Sequence, residues 1–290
     1  ASWASSMREW TRWSARRATP AWCLANGSFT SPPAPTPYAP AAADLTDARQ
    51  ARALLDAVRP EVIVNTAALA NVDDCERDPR QAYLSNVHIV ENLADWVQDA
   101  GRGTHLVQIS TDQVYDGPGP HAETPVTLTN YYGFSKYTAE LAASRVPSTV
   151  LRTNFFGPSR TPRRLSLSDW LAKACRSGEG VTVFDDVLFS PLSLETLGAM
   201  IGRVIARRER GLFNLGSRDG MSKADFALAL ADILGVPADL IRRGSVAALD
   251  APAYRPRDMR MDSSRFEAAF GVRLPTLTEE LQSIRKDYVS

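Results

Sequence analysis

The chain has no surplus of charge of either sign: 33 basic residues face 33 acidic ones, so it offers no extended field for nucleic acid or an anionic membrane. Cysteine is scarce. Cys23, Cys75 and Cys175 show neither metal-ligand spacing nor a disulfide framework, which makes a reducing cytoplasm the expected setting. No apolar run approaches the ~18–20 residues needed to cross a bilayer. The arginine-bearing N-terminus lacks the apolar centre of a secretory signal. His88, His105 and His121 are scattered and form no metal pattern. The most consequential absence is local. Residues 1–40 contain Trp3, Trp10, Trp13 and Trp22 and a proline-rich stretch from Pro32 to Pro40, but only one glycine, Gly27. A dinucleotide-binding chain should open with an apolar strand, a Gly-rich turn and a helix, because glycines let backbone amides close on the pyrophosphate. Neither G-x-G-x-x-G nor G-x-x-G-x-x-G occurs here.

Beyond residue 40 the pattern is regular. Hydrophobic residues make up 44% of 290 positions, enough for one large domain or two unequal ones. Periodicity predicts a helix over 48–58, a buried strand over 61–65, a long amphipathic helix over 80–100 and a strand over 104–109. A helix over 130–144 and a strand over 148–153 come next. This rhythm implies an α/β fold with a doubly wound parallel sheet of the Rossmann-like kind, within residues 1–155. After Phe156 the pattern loosens into helices over 165–177 and 193–207 and strands over 181–184 and 211–215. A last helix is capped by Ser222 and stopped by Gly235. Residues 156–290 are expected to be mainly a smaller lobe over the crevice, with some segments returning to the first domain. Ligands of such sheets bind at the carboxyl ends of the strands, where Ala67, Ala68, Ser110, Thr111 and Thr153 fall.

One constellation carries chemistry. Tyr131-Tyr132-Gly133-Phe134-Ser135-Lys136 lies just downstream of Val107-Gln108-Ile109-Ser110-Thr111-Asp112. A Tyr and a Lys four apart share a helix face. Only Tyr132 has a Lys at that spacing. A hydroxyl from the end of the preceding strand can face them, which assembles a proton donor, a cation that makes its proton available, and a group that holds a carbonyl.

These pieces resemble a known family. Asn65-Thr66-Ala67-Ala68, Val72-Asp73-Asp74-Cys75-Glu76, Ser110 through Gly117 and Tyr132-Gly133-Phe134-Ser135-Lys136 look like extended short-chain dehydrogenase/reductases, most of all dTDP-4-dehydrorhamnose reductases. Leu151-Arg152-Thr153 with Phe156-Gly157, and Arg255-Pro256-Arg257-Asp258-Met259, fit the same group. The resemblance spans roughly residues 42–290. It implies an NADPH- or NADH-dependent reductase of a 4-keto-6-deoxy nucleotide sugar such as dTDP-4-dehydro-L-rhamnose, with the smaller lobe binding the sugar nucleotide. Tyr132 is then the general acid, Lys136 its partner and a ribose contact, and Thr111, before Ser110, the catalytic hydroxyl. The implied cofactor contacts add Asp44 and Leu45 near adenine, the small Ala67-Ala68-Leu69 turn, and Ser110. The implied substrate contacts are Asp112, Asn154, Phe155, Arg255 and Arg257, the two arginines suiting a diphosphate.

Each assignment has a plainer counterpart: turn capping for Asp112, an N-cap for Asp44 or Thr46, core packing for Phe155 and Phe156, and a salt bridge for the arginines. Asn86 is expected to be structural. Arg160, Arg163 and Arg164 read as a solvated loop or a phosphate contact, and Thr30 and Ser31 as weak candidates for a 2′-phosphate. Members of the family include homodimers, and some use a metal ion; no ligand cluster here points to a metal. Two other functions stay open: another nucleotide-sugar epimerase or dehydratase, and a non-catalytic dinucleotide-binding subunit like the regulatory subunit of methionine adenosyltransferase. Dehydratases need additional acids, whereas Gln113 follows Asp112 here. The N-terminal segment is read either as a divergent cofactor motif or as a stretch out of frame until about Gly27-Ser28-Phe29-Thr30-Ser31.

Overall fold

In the computed structural model, which describes residues 22–24, 43–159 and 166–288, a five-stranded sheet runs through the larger part of the molecule. Its strands are β1 (Trp22–Leu24), β2 (Val62–Asn65), β3 (His105–Thr111), β4 (Ser148–Thr153) and β9 (Gly211–Leu215), in that spatial order. The last four are mutually parallel. β2 and β4 are buried along their whole length, so neither shows the apolar-polar alternation of a half-solvated strand, and β4 even buries Arg152. β1 departs from the expected all-parallel sheet. It pairs antiparallel with β2, covering backbone groups that an open edge would leave unpaired. The flanking residues 1–21 and 25–42 lie outside the described residues, and so does the expectation of a divergent or out-of-frame cofactor motif.

Helices cover both faces. On one lie α1 (Ala48–Val58), α4 (Ile89–Ala100) and α5 (Tyr131–Ala143), whose Leu55, Leu93, Trp96 and Ala139 pack against Ile63, Leu106 and Val150. On the other lie α7 (Leu194–Arg207) and α9 (Ser264–Phe270), with Leu197, Val204, Phe266 and Phe270 against Val107, Leu151 and Phe213. Both helices and β9 come from the C-terminal half of the chain. The cap of α1 is Asp47, which accepts the Arg49 and Gln50 amides, rather than Asp44 or Thr46; Asp44 instead folds onto Thr46 in the preceding turn.

The expected helix over 80–100 is broken into three pieces. After α2 (Val72–Arg77) come α3 (Pro79–Tyr83), a π-helical turn (Leu84–His88) and α4. A π turn inserts one residue and rotates the side chains beyond it. Here the turn contains Asn86, which is fully buried and aimed at the strand ends.

The smaller lobe has its own core, in which Phe156, Leu171, Phe189, Phe226, Leu230, Leu277 and Leu281 meet. It is built from β5 (Phe155–Phe156), α6 (Leu167–Arg176), β6 (Val181–Phe184), β7 (Leu188–Phe189), β8 (Leu192–Ser193), β10 (Met221–Ser222), α8 (Lys223–Leu234), β11 (Ile241–Gly244) and α10 (Leu277–Ser283). Ser222 accepts the Asp225 amide to start α8, and Gly235, at φ 66°, ends it. Among the described residues no helix is long and apolar enough to cross a membrane.

Candidate active site

The site forms where the first turns of α5 press on the end of β3. Asn130 caps α5 by accepting the Gly133 amide at 2.8 Å, which sets where the helix begins. Gly133 then backs onto the 3-10 turn Asp112–Val114. A Cβ there would lie 2.5 Å from the Gln113 carbonyl oxygen, so only glycine permits this approach. The close contact brings Tyr132 and Lys136 over the strand ends.

Lys136 is buried, and its ammonium donates to the Ile109 carbonyl at 2.7 Å. Burial lowers its pKa to about 8, against the opposing pull of Glu140 one turn on. The Tyr132 ring packs with Leu69, Cys75 and Ala82. Cys75 donates its thiol to the Leu69 carbonyl, and burial pushes its pKa up to about 12, so it is an inert packing group. Asn86 ties these parts together. It accepts the Leu69 amide at 2.7 Å and donates to the Leu69 carbonyl and to Ser135 Oγ at 3.1 and 2.8 Å. One side chain therefore joins the turn after β2 to the helix carrying Tyr132.

The two hydroxyls at the end of β3 point to different neighbours, because successive strand residues face opposite sides. Thr111 Oγ1 accepts the Gln113 amide at 3.2 Å and lies 3.3 Å from Asp112 Oδ1. Asp112, 1% exposed, accepts the Asn154 amide at 2.6 Å. Burial raises its pKa to about 6, while Asn154, Lys223 and Thr111 pull the other way. Lys223, the first residue of α8, brings a charge from the smaller lobe to this cluster. Sequence reading misses it, because a lysine at the first position of a helix carries no periodic signal.

Ser110 instead donates to Glu140 Oε1 at 2.5 Å. Glu140 takes a two-pronged bond from Arg152 at 2.9 and 2.6 Å, and Arg152 also donates to the Tyr115 hydroxyl and the Glu123 carbonyl, each at 2.7 Å. Burial opposes the Arg152 charge, but these bonds outweigh it and hold its pKa above the ordinary value. The Tyr115 hydroxyl donates in turn to buried Asn214 on β9. Sequence reading misses this network too, although Tyr132, Lys136 and Glu140 repeat at four-residue spacing and Arg152 interrupts an otherwise uncharged strand.

The remaining candidates are dispersed. Ala67 is buried at the carboxyl end of β2, Ala68 is partly exposed beside it, and Leu69 is held by Asn86. Leu45 is buried against α4, its carbonyl accepting from Asn92, while Asp44 is exposed. Phe156 stacks edge-on with Phe226 in the small-lobe core, and Phe155 is exposed. Arg255 is buried in an ion pair with Asp73 of α2 at 2.8 Å, and its Nε–H has no partner among the described residues. Arg257 is exposed. Thr30, Ser31, Arg160, Arg163 and Arg164 lie outside the described residues. The histidines serve as packing groups: His105 bonds Thr149 and is lowered by burial to about 4, His121 stacks on Tyr115, and His88 pairs with Glu91. Among the described residues no cluster of His, Cys, Asp or Glu could hold a metal ion.

Comparison with known proteins places this geometry. The family described as RmlD substrate binding domain matches residues 29–290. A dTDP-4-dehydrorhamnose reductase of Sinorhizobium fredii is 31% identical over 78% of this chain and 79% of its own length. A probable low-salt glycan biosynthesis reductase of Haloferax volcanii is 29% identical over 85% of both. The crystal structure of a dTDP-4-dehydrorhamnose reductase from Bacillus anthracis in complex with NADP superposes with a TM-score of 0.78 over 84% of this chain and 87% of that one, at 23% identity.

Proposed function

The chain belongs to the RmlD substrate binding domain family, and from that membership we propose that it is a cytoplasmic NAD(P)H-dependent reductase of a 4-keto-6-deoxy nucleotide sugar, most simply dTDP-4-dehydro-L-rhamnose. The observation that carries this reading is the floor of the crevice. Lys136 is desolvated yet still charged below about pH 8, and it sits one turn from a tyrosine at the end of a strand that terminates in Thr111.

The cofactor fits the described part of this crevice. The turn after β2 is built from the small residues Ala67 and Ala68, and the Lys136 ammonium uses one of its three donors on the Ile109 carbonyl, leaving donors for ribose hydroxyls. When bound, the cofactor supplies the hydride. The chain's own residues do the rest. Thr111 holds the ketone oxygen through its hydroxyl. Tyr132 donates the phenolic proton to that oxygen as it becomes an alkoxide. Lys136 stabilises the phenolate left behind, which is how a group with an ordinary pKa of about 10 can serve as an acid at neutral pH. Asp112 and Asn154 border the sugar, with Phe155 at the rim; Arg255, buried with Asp73, keeps an Nε–H without a partner among the described residues for the diphosphate. Asp44, Leu45 and Leu69 line the adenosine side, Arg257 is a second candidate for the diphosphate, and Ser110 supports the site through Glu140. The boundary near residue 155, with the smaller lobe binding the sugar nucleotide, belongs to the same reading. A homodimer is part of it as well: Phe134 and Leu141, 48% and 54% exposed, share the outer stripe of α5.

The test is oxidation of NADPH or NADH by the purified chain with dTDP-4-dehydro-L-rhamnose. Tyr132→Phe should lower turnover by on the order of 10²–10⁴, because it removes the hydroxyl that carries the phenolic proton while keeping the ring. Calorimetric titration of both cofactors gives a readout independent of turnover. Near-wild-type turnover in Tyr132→Phe would sink the assignment.

A further inference from the structure

Arg152 is a charge inside a wholly buried strand, and none of its hydrogen-bond partners is a reacting group. It stands opposite Ser110 in the parallel register of β4 and β3, so the two side chains share the face of the sheet that α5 covers. They meet on one carboxylate of that helix. Ser110 Oγ donates to Glu140 Oε1 at 2.5 Å, and Arg152 grips both oxygens of Glu140 through Nε and Nη2 at 2.9 and 2.6 Å. Its Nη1 donates to the Tyr115 hydroxyl and the Glu123 carbonyl, each at 2.7 Å. Arg152 is 1% exposed, and Glu140 and Ser110 are buried with it.

An ion pair buried this deeply is, as a rule, worth no more than a well-packed apolar pair of the same volume. What it adds is direction, because each bond fixes one donor against one acceptor. Direction matters here because of the residues on either side of Ser110. The Ile109 carbonyl receives the Lys136 ammonium at 2.7 Å, and Thr111 Oγ1 accepts the Gln113 amide at 3.2 Å. Two consecutive residues of β3 are thus tied to two residues one turn apart on α5: Ile109 to Lys136, and Ser110 to Glu140. Two ties set an angle between strand and helix, where one would leave a pivot.

We propose that Arg152 is a positioning residue for the reaction: through Glu140 and Ser110 it fixes the end of β3 against α5, and so sets Thr111 and the carbonyl that holds Lys136 relative to Tyr132. The catalytic part of this statement rests on the proposed reductase function; the anchoring of β3 does not. Its consequence is that the two adjacent hydroxyls divide their work. Thr111 serves the ketone, and Ser110 acts on the strand, holding Thr111 in place. The Tyr115 hydroxyl extends the same anchor to Asn214 of β9 at 2.7 Å, so the end of β3 is braced from the far edge of the sheet as well as from α5.

The test is a double-mutant cycle of Ser110→Ala and Arg152→Lys, read in turnover and in hydrogen exchange. Lysine keeps the charge but lacks the planar fork that engages Glu140, Tyr115 and Glu123 together. Ser110→Ala should lower kcat by about 10- to 100-fold, with KM and the calorimetric cofactor affinity within about twofold of wild type, as displacement of a reacting group would. Adding Ser110→Ala to Arg152→Lys should lower kcat by less than about threefold more, because both act through one carboxylate. Exchange at the Thr111 amide should rise in Ser110→Ala, while that of Leu106, near the start of β3, stays as it was. Should Arg152→Lys fail to fold, Glu140→Gln takes its place in the cycle. Additive losses in kcat, a loss carried by KM, or unchanged exchange at the Thr111 amide overturns the proposal. Absence of nucleotide-sugar reduction by the wild type would instead overturn the reductase reading, and the exchange measurement would still decide the anchoring.

Discussion

The two ends of α5 treat buried charge in opposite ways. At its C-terminal end Glu140 is fully engaged, by two bonds from Arg152 and one from Ser110, and Arg152 is itself satisfied by Tyr115 and Glu123. One turn earlier Lys136 has a single backbone carbonyl for its ammonium. Both groups lie on one stripe of one helix and both are almost wholly buried. A saturated pair sets the position of the helix. A charge with spare donors and a depressed pKa is destabilising in the resting protein and available to a ligand. The difference separates a group whose bonds are all used within the fold from one that keeps donors to spare.

Substitutions at the two ends should therefore move stability in opposite directions. The largest change is expected at the saturated end. Glu140→Ala leaves the Arg152 guanidinium buried without its counter-ion and should cost about 3–5 kcal/mol in denaturant unfolding. A loss below about 1 kcal/mol would mean that the pair is not what holds α5 in register.

Lys136→Met should do the reverse. Because the folded pKa of Lys136 is about 8, below its unfolded value, the wild type bears the full penalty at pH values under 8. That penalty fades as pH rises towards the unfolded value of about 10.4. After allowing for the Ile109 carbonyl left unbonded, the variant should be stabilised by about 2 kcal/mol at neutral pH, and the gain should vanish in alkaline buffer. Turnover and cofactor affinity should fall together. A variant that is destabilised at pH 7, with unchanged cofactor affinity, would make Lys136 an ordinary structural residue.

A smaller loss than at Glu140 is expected where the π turn meets α5. Asn86→Ala removes the clamp that joins Leu69 to Ser135 and should cost about 1–3 kcal/mol, since buried donors and acceptors lose their partner. Hydrogen exchange at the Leu69 amide should rise more than that within β3. Equal protection before and after would show that the turn is held by other contacts.

Much of this molecule is legible in the residues alone. The strands β2, β3 and β4 and the helices α1, α5 and α8 arise from apolar runs and periodicity, and several of their ends from local chemistry: Asn130, Ser222 and Gly235 act within a few residues of themselves. The pairing of Tyr132 with Lys136 needs only helical spacing. The π turn escapes, because its reason is Asn86 reaching a turn 17 residues away, which no local pattern encodes. Sequence alone gives Ser110 a catalytic share with Thr111; strand alternation says that the two diverge, but not which of them meets Glu140. Arg255 reads equally as a diphosphate ligand or an ion pair, and the pair with Asp73, 182 residues distant in the chain, becomes visible only once the segments are packed.

By itself the sequence determined the alternation of strands and helices, the caps that bound them, the tyrosine and lysine on one helix face, and the membership of a reductase family through motifs that need short spacings to function. These depend on interactions within a turn or two of chain, where residue identity is the whole cause. Tertiary structure alone decided which buried charges are saturated and which are left with spare donors. It also turned Ser110 onto Glu140 and Thr111 onto the Gln113 amide. Those outcomes depend on desolvation and on partners distant in the chain, and burial is a property of the packed molecule rather than of any segment.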